Sequence, residues 1–277
     1  MNRCKTSILM IGLLAAILLE GCGQSQTGQT PADEPQKQPE IQTEQPDQQA
    51  DADADGVERF ELTDDTDSAV LLQVEVRRPQ LEAYVEKGAY ANIRKYYDNL
   101  YAKERNWWKG DLADFAQEDR EAIKQNGGVF EPYEVREDYK ITCNNAQFLS
   151  IRRTSYTYTG GAHGNQTIMG ETFRKEDGTQ VMLADLFADE AYRDALLREV
   201  KKEVNARAAA GDVSYYDNVG QLVEDTFDPG AFYLTDAPAL VLVYATYTLA
   251  PYAAGPQEII IPFSDLADSL NTEYVEG

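Results

Sequence analysis

Gln147-Phe-Leu-Ser-Ile-Arg-Arg-Thr-Ser-Tyr-Thr-Tyr158 runs into Thr159-Gly-Gly-Ala-His-Gly164, and Thr167 to Arg174 follows. The first and last segments are rich in β-branched and aromatic residues and read as strands; the middle reads as their connection. Three glycines within five positions, Gly160, Gly161 and Gly164, let a backbone turn tightly or approach another group closely. The same loop carries His163, the only histidine of the chain. A second loop with the same character, Ala250-Pro-Tyr-Ala-Ala-Gly255, lies near the C-terminus.

Upstream of this pair, Val129 to Thr142 and Ser68 to Val76 also read as strands, the latter closed by Pro79. Between them, from about Leu81 to Asn126, apolar residues recur three and four apart (Ile93, Tyr96, Tyr97, Leu100, Tyr101), which predicts a helix stopped by Gly127-Gly128. Downstream, Glu176-Asp177-Gly178 signals a turn with Gln180 to Leu183 as the partner strand. A second helix spans about Glu190 to Ala210 with Leu196, Leu197, Val200 and Val204 on one face. Strands are expected at Ala231 to Thr235, Ala239 to Leu249 and Glu258 to Pro262, the middle one apolar enough to be buried on both faces, and a closing helix near Ser264. This order predicts an α+β fold, mainly antiparallel in its sheet, with two longer helices and two intimate subdomains meeting near residues 155 to 180.

The N-terminus has Arg3 and Lys5, an apolar run from Ile8 to Leu19, and then Glu20-Gly21-Cys22. That order is expected of a bacterial lipoprotein signal over 1–22, removed to leave a lipid on Cys22, and at about 12 residues the run is shorter than the roughly 20 of a membrane-spanning helix. Residues 23–56 are mostly Gln, Pro, Asp, Glu, Thr and Ala and are expected to form a disordered tether, on the order of 30 Å in root-mean-square span. The expected location is extracytoplasmic, at the outer face of the cytoplasmic membrane. Of three cysteines only Cys143 then remains in the folded part, where it reads as a small buried hydrophobe.

The net charge is −23; the first 56 residues hold 3 basic and 9 acidic residues, leaving 22 basic and 39 acidic and a charge of −17 for the rest. Such a field repels nucleic acid and draws basic proteins. A single histidine and no ligand-like spacing leave no expectation of a metal or cofactor. No set of catalytic residues is legible: a His-Asp-Ser arrangement through Ser155 has nothing that places its members together.

Three blocks carry a resemblance: Tyr156-x-Tyr-x-Gly-Gly-Ala-His-Gly164, Gly178-x-x-Val-x-Leu-x-Asp-Leu-Phe187 and Leu249-Ala-Pro-Tyr-Ala-Ala-Gly-x-x-Glu-Ile-x-Ile-Pro262. With them the chain resembles the extracytoplasmic domain of RsiV-type anti-sigma factors (166–277), preceded by a region similar to the N-terminal domain of PdaC-type deacetylases (57–165). The resemblance implies a Gram-positive envelope protein that binds a lysozyme-like muramidase through its loops. No sigma-binding segment or deacetylase domain is read in the chain, so neither signalling nor deacetylation is expected to carry over, and a non-enzymatic binding role is expected, with a glycan-binding module and then an envelope hydrolase as the alternatives. The residues expected to bind are Tyr156, Tyr158, Gly160, Gly161, His163, Asn165, Pro251 and Tyr252. The expected partners are a basic protein such as lysozyme, or peptidoglycan with Trp107-Trp108 and tyrosines as stacking platforms, and the membrane through the lipid. The bland role for His163 is to bond a backbone carbonyl or stack on Tyr158.

Overall fold

Glu75, Arg77 and Asp138 lie half-buried while Leu72, Val74, Val76, Val135 and Tyr139 are buried, the period-two pattern of strands with one covered face. The computed structural model describes residues 54–271, with side chains described from Val57 onward. The expected signal, the Cys22 expected to carry a lipid and the part of the expected tether up to residue 53 lie outside the described residues. Strands β1 (Ala54–Thr63), β2 (Val70–Pro79), β3 (Tyr133–Asn144), β4 (Phe148–Tyr158) and β5 (Asn165–Arg174) form one sheet in the order β1-β2-β3-β4-β5. All neighbours are antiparallel except β2 and β3, which are parallel. The sheet is therefore mixed, and the parallel pair follows from the helical crossover between them.

That crossover is α1 (Lys87–Trp107), a π-helical turn (Trp108–Leu112) and α2 (Ala113–Gln125). The continuous helix read from the sequence starts later and contains this wider turn. Trp107 and Trp108 divide between rim and core: Trp108 is 3% exposed and Trp107 43%. Gly127, in the left-handed region at φ 74°, ends the helix while Gly128 N–H donates to Ile123 at 2.9 Å, a closure that satisfies a terminal carbonyl.

The C-terminal half has α3 (Tyr192–Ala210), α4 (Val219–Asp225) and a second sheet, β6 (Phe232–Thr235), β7 (Ala239–Tyr244) and β8 (Gln257–Pro262), antiparallel with β7 in the centre and buried throughout. Here the expected strand 239–249 stops at Tyr244, because Tyr247 takes a left-handed φ of 67° that no strand allows. Gln180 makes only a single bridge with Phe173 rather than a partner strand, and the closing helix is a 3-10 turn, Phe263–Asp265, followed by turns.

Strand β4 joins the layers. Leu149, Ile151 and Arg153 face α1, and Phe148, Ser150 and Arg152 face the second sheet. Ser150 Oγ accepts from Leu234 N–H at 2.9 Å and lies 2.7 Å from Thr172 Oγ1, a buried polar link between sheets. Arg152 meets both oxygens of Glu258 at 2.7 and 2.9 Å. At Gly170 the two sheets come so close that an added Cβ would lie 1.8 Å from the Phe232 carbonyl oxygen, so only glycine fits. Among the described residues no helix is long and apolar enough to cross a membrane.

Candidate functional site

The loop after Tyr158 closes the β4–β5 hairpin, whose last paired residues are Thr157 and Asn165. Gly160 and Gly161 both hold a left-handed φ, 87° and 90°, which the turn requires. Gly164 is needed for space instead: a Cβ there would sit 2.4 Å from the ring of Tyr156. Tyr156 in turn lies under the Arg136 guanidinium at 4.9 Å. The Tyr158 hydroxyl is 2.7 Å from the Glu131 carboxylate, its donor contact, and 3.1 Å from the Gly161 carbonyl.

The second loop is as firmly built. Pro251 precedes a 3-10 turn, Tyr252–Ala254, with Gly255 N–H donating to Tyr252 at 2.8 Å. The buried Gln257 amide donates to the Ala254 carbonyl at 2.7 Å, and its carbonyl oxygen accepts from Tyr215 at 3.1 Å. Thr248 N–H closes back on Ala245 at 3.1 Å across Tyr247. Few torsions are left free in the segment.

The structure brings the two loops together. Tyr252 OH donates to the Gly164 carbonyl at 2.7 Å, and the Tyr252 ring stacks on His163 with centroids 3.7 Å apart and planes at 18°. His163 Nδ1 lies 3.2 Å from the same carbonyl. The expected stack of His163 on Tyr158 is thus replaced by one on Tyr252, because the glycines carry His163 across to the other loop. Tyr247 lies against Tyr252 at 5.5 Å, and Thr246 Oγ1 donates to the Gln166 carbonyl at 3.3 Å.

Of the residues expected at this surface, Gly160, Gly161, His163, Asn165 and Pro251 are exposed, and Tyr156, Tyr158 and Tyr252 are half-buried. Tyr252 is covered by His163 and Tyr247 and holds the two loops together; burial pushes its hydroxyl above the ordinary tyrosine value. The ring turned outward is Tyr247, 54% exposed, which the sequence reading placed inside a strand. Its local composition, Thr-Tyr-Thr, is that of a strand, and no residue type announces the left-handed backbone. A bulky residue in that region costs of order 1–3 kcal/mol and persists where surrounding structure imposes it.

Cys143 is 1% exposed, and burial pushes its thiol up to about 11, as befits an apolar packing residue. Among the described residues no group of three or more His, Cys, Asp or Glu side chains is gathered to hold a metal ion. Ser155 pairs with Glu137 in the β3–β4 ladder.

Residues 66–166 match the family described as Deacetylase PdaC, and residues 184–264 match the one described as Protein of unknown function (DUF3298). The chain thus carries a PdaC-type domain followed by a DUF3298 domain, and the contact between Gly164 and Tyr252 joins the two. Peptidoglycan-N-acetylmuramic acid deacetylase PdaC of Bacillus subtilis (strain 168) is 28% identical over 148 residues, 52% of this chain and 30% of that protein. The chain therefore matches less than a third of the length of this curated relative. Similar solved structures include a DUF3298 family member from Bacteroides fragilis NCTC 9343, 19% identical with a TM-score of 0.48 over 79% of this chain and 95% of that one. Another, from Pseudomonas aeruginosa PAO1, is 18% identical with a TM-score of 0.47 over 81% and 97%.

These matches correct one expectation. The reading of the chain as non-enzymatic is overturned, because both the family matched by 66–166 and the curated relative are deacetylases by name. The reading failed because it looked for a catalytic constellation in the residues and found none legible.

Proposed function

We infer that the protein works at the cell envelope on peptidoglycan or on the enzymes that attack it, and that the rim of residues 158–165 and 247–252 is its gripping surface. The occupant we assign to the rim is a basic muramidase of the lysozyme class. The observation that carries this reading is the bond from Tyr252 to Gly164 with the stack on His163, which makes one stiff edge from two loops 88 residues apart. Pre-ordered loops lose little entropy on binding, and an outward tyrosine gives large contact area for few torsions. The acidic charge of the chain, −23, speeds encounter with a basic partner. Anchoring through a lipid on Cys22 would hold this edge outside the membrane.

Calorimetric titration with purified lysozyme at low and at physiological salt, with soluble peptidoglycan fragments as competitor, tests the assignment. Binding that weakens with salt and survives the competitor supports it; absence of binding at both salts removes it. A second reading, action on the glycan itself, is favoured by the match of 66–166 to the PdaC family. Release of acetate from purified peptidoglycan by the full chain, absent from a heat-denatured control, would establish that reading.

A further inference from the structure

Between α1 and the sheet, one guanidinium is asked to serve three carboxylates. Arg153 Nη1 lies 2.6 Å from Glu104 and 3.2 Å from Glu137, and its Nε lies 3.0 Å from Glu171. Arg153, Glu137 and Glu171 are 6%, 3% and 2% exposed, so solvent does little to screen the set. The four residues come from α1, β3, β4 and β5, and their contacts are the polar part of the joint between helix and sheet. Fully ionised, the group would carry two uncompensated negative charges in a buried place, which the low dielectric there makes costly.

Among the described residues, Arg153 is the cation bonded to all three carboxylates. From α1, Tyr96, Tyr97 and Tyr101 face the group; from β3, Tyr139 donates to Glu137 Oε2 at 3.2 Å; from β4 comes Ser155 and from the segment after β5 Gln180. Arg78 on β2 sits over the Tyr101 ring at 3.9 Å but is bonded to Glu58. Glu104 Oε2, Glu171 Oε2 and the hydroxyls of Tyr97 and Tyr101 are buried with no hydrogen-bond partner. Two of these atoms are carboxylate acceptors and two are hydroxyls able to donate.

We propose that the Glu104, Glu137 and Glu171 group binds one proton at neutral pH and makes the attachment of α1 to the sheet sensitive to pH. The proton removes one of the surplus charges, and the protonated oxygen can donate to a neighbouring oxygen of the group. Burial raises Glu137 to about 7, with Glu104 adding to the rise and Arg153 opposing it, and burial likewise raises Glu171. The sign follows: with the carboxyl raised in the folded state, the fold binds more protons than the unfolded chain between about 4.5 and 7. Stability from this group is present in full below that window and is lost as pH rises through it.

The experiment is urea unfolding of the full chain at pH values from 5 to 8, comparing the parent with Glu137→Gln, and with Glu104→Gln should the first variant not fold. The parent is expected to lose stability relative to the neutral variant as pH rises, with a slope approaching one proton. Its infrared spectrum should show a protonated carboxylic acid band at pH 6 that disappears by pH 9 and is reduced in the variant. Parallel pH profiles for parent and variant, or no such band at pH 6, would overturn the proposal.

Discussion

The carbonyl of Gly164 accepts the hydroxyl proton of Tyr252 at 2.7 Å, so a hairpin loop of the first sheet is fastened to the turn that precedes β8 in the second. The ring of Tyr252 stacks on His163 and is in tilted contact with Tyr247, and what faces outward is Tyr247.

Tyr252→Phe keeps the stack and deletes the bond, leaving the Gly164 carbonyl with one partner fewer. A loss of about 1 kcal/mol in unfolding free energy is expected, with faster amide exchange in residues 159–164. Unchanged exchange in that loop would show that the bond does not fasten it.

Tyr247→Ala should separate binding from folding. Because the side chain is 54% exposed, stability should change by about 0.5 kcal/mol or less, while affinity for a lysozyme-class partner falls by about 2 kcal/mol. Equal affinity of parent and variant would remove Tyr247 from the proposed gripping surface.

Two glycine substitutions should act in opposite directions. Gly170→Ala drives a methyl group into the Phe232 carbonyl, 1.8 Å away, and should cost about 3 kcal/mol or prevent folding. Gly110→Ala lies in the π-helical turn with nothing within 4 Å and should add about 0.5–1 kcal/mol through helix propensity. Thermal unfolding of the two variants beside the parent checks both signs.

Arg152→Ala leaves Glu258 without its bidentate partner. Burial works to raise that carboxyl, but the Arg152 bonds hold it below its ordinary value, so the pair's stabilisation is present above the unfolded carboxylate value and lost as pH falls. At pH 7 the substitution should cost about 2 kcal/mol, less than a fully buried pair since both side chains keep some solvent contact, and urea unfolding of parent and variant should converge toward pH 3.

The parts legible in the sequence were those with a local signal. Gly160, Gly161 and Gly164 marked the hairpin loop, the run from Leu240 marked the buried central strand, and Gly127-Gly128 marked a helix end. The parallel pairing of β2 with β3 was not legible, since pairing partners carry no local mark. Strand β1 reads Val-Glu-Arg-Phe-Glu-Leu over 57–62, where charges on an edge strand mask the alternation. The Arg153 group combines residues 104, 137, 153 and 171, which only the fold brings within bonding distance. Of the rim, its location was legible and its outward ring was not, because the turn at Tyr247 depends on backbone geometry imposed from outside the segment.

Hydrogen–deuterium exchange of the full chain with and without saturating lysozyme tests the proposed gripping surface. Joint protection of residues 159–165 and 245–256, lost in Tyr247→Ala, is expected. Protection confined to other elements, or binding that leaves both loops exchanging as in the free protein, would refute the rim as the point of contact.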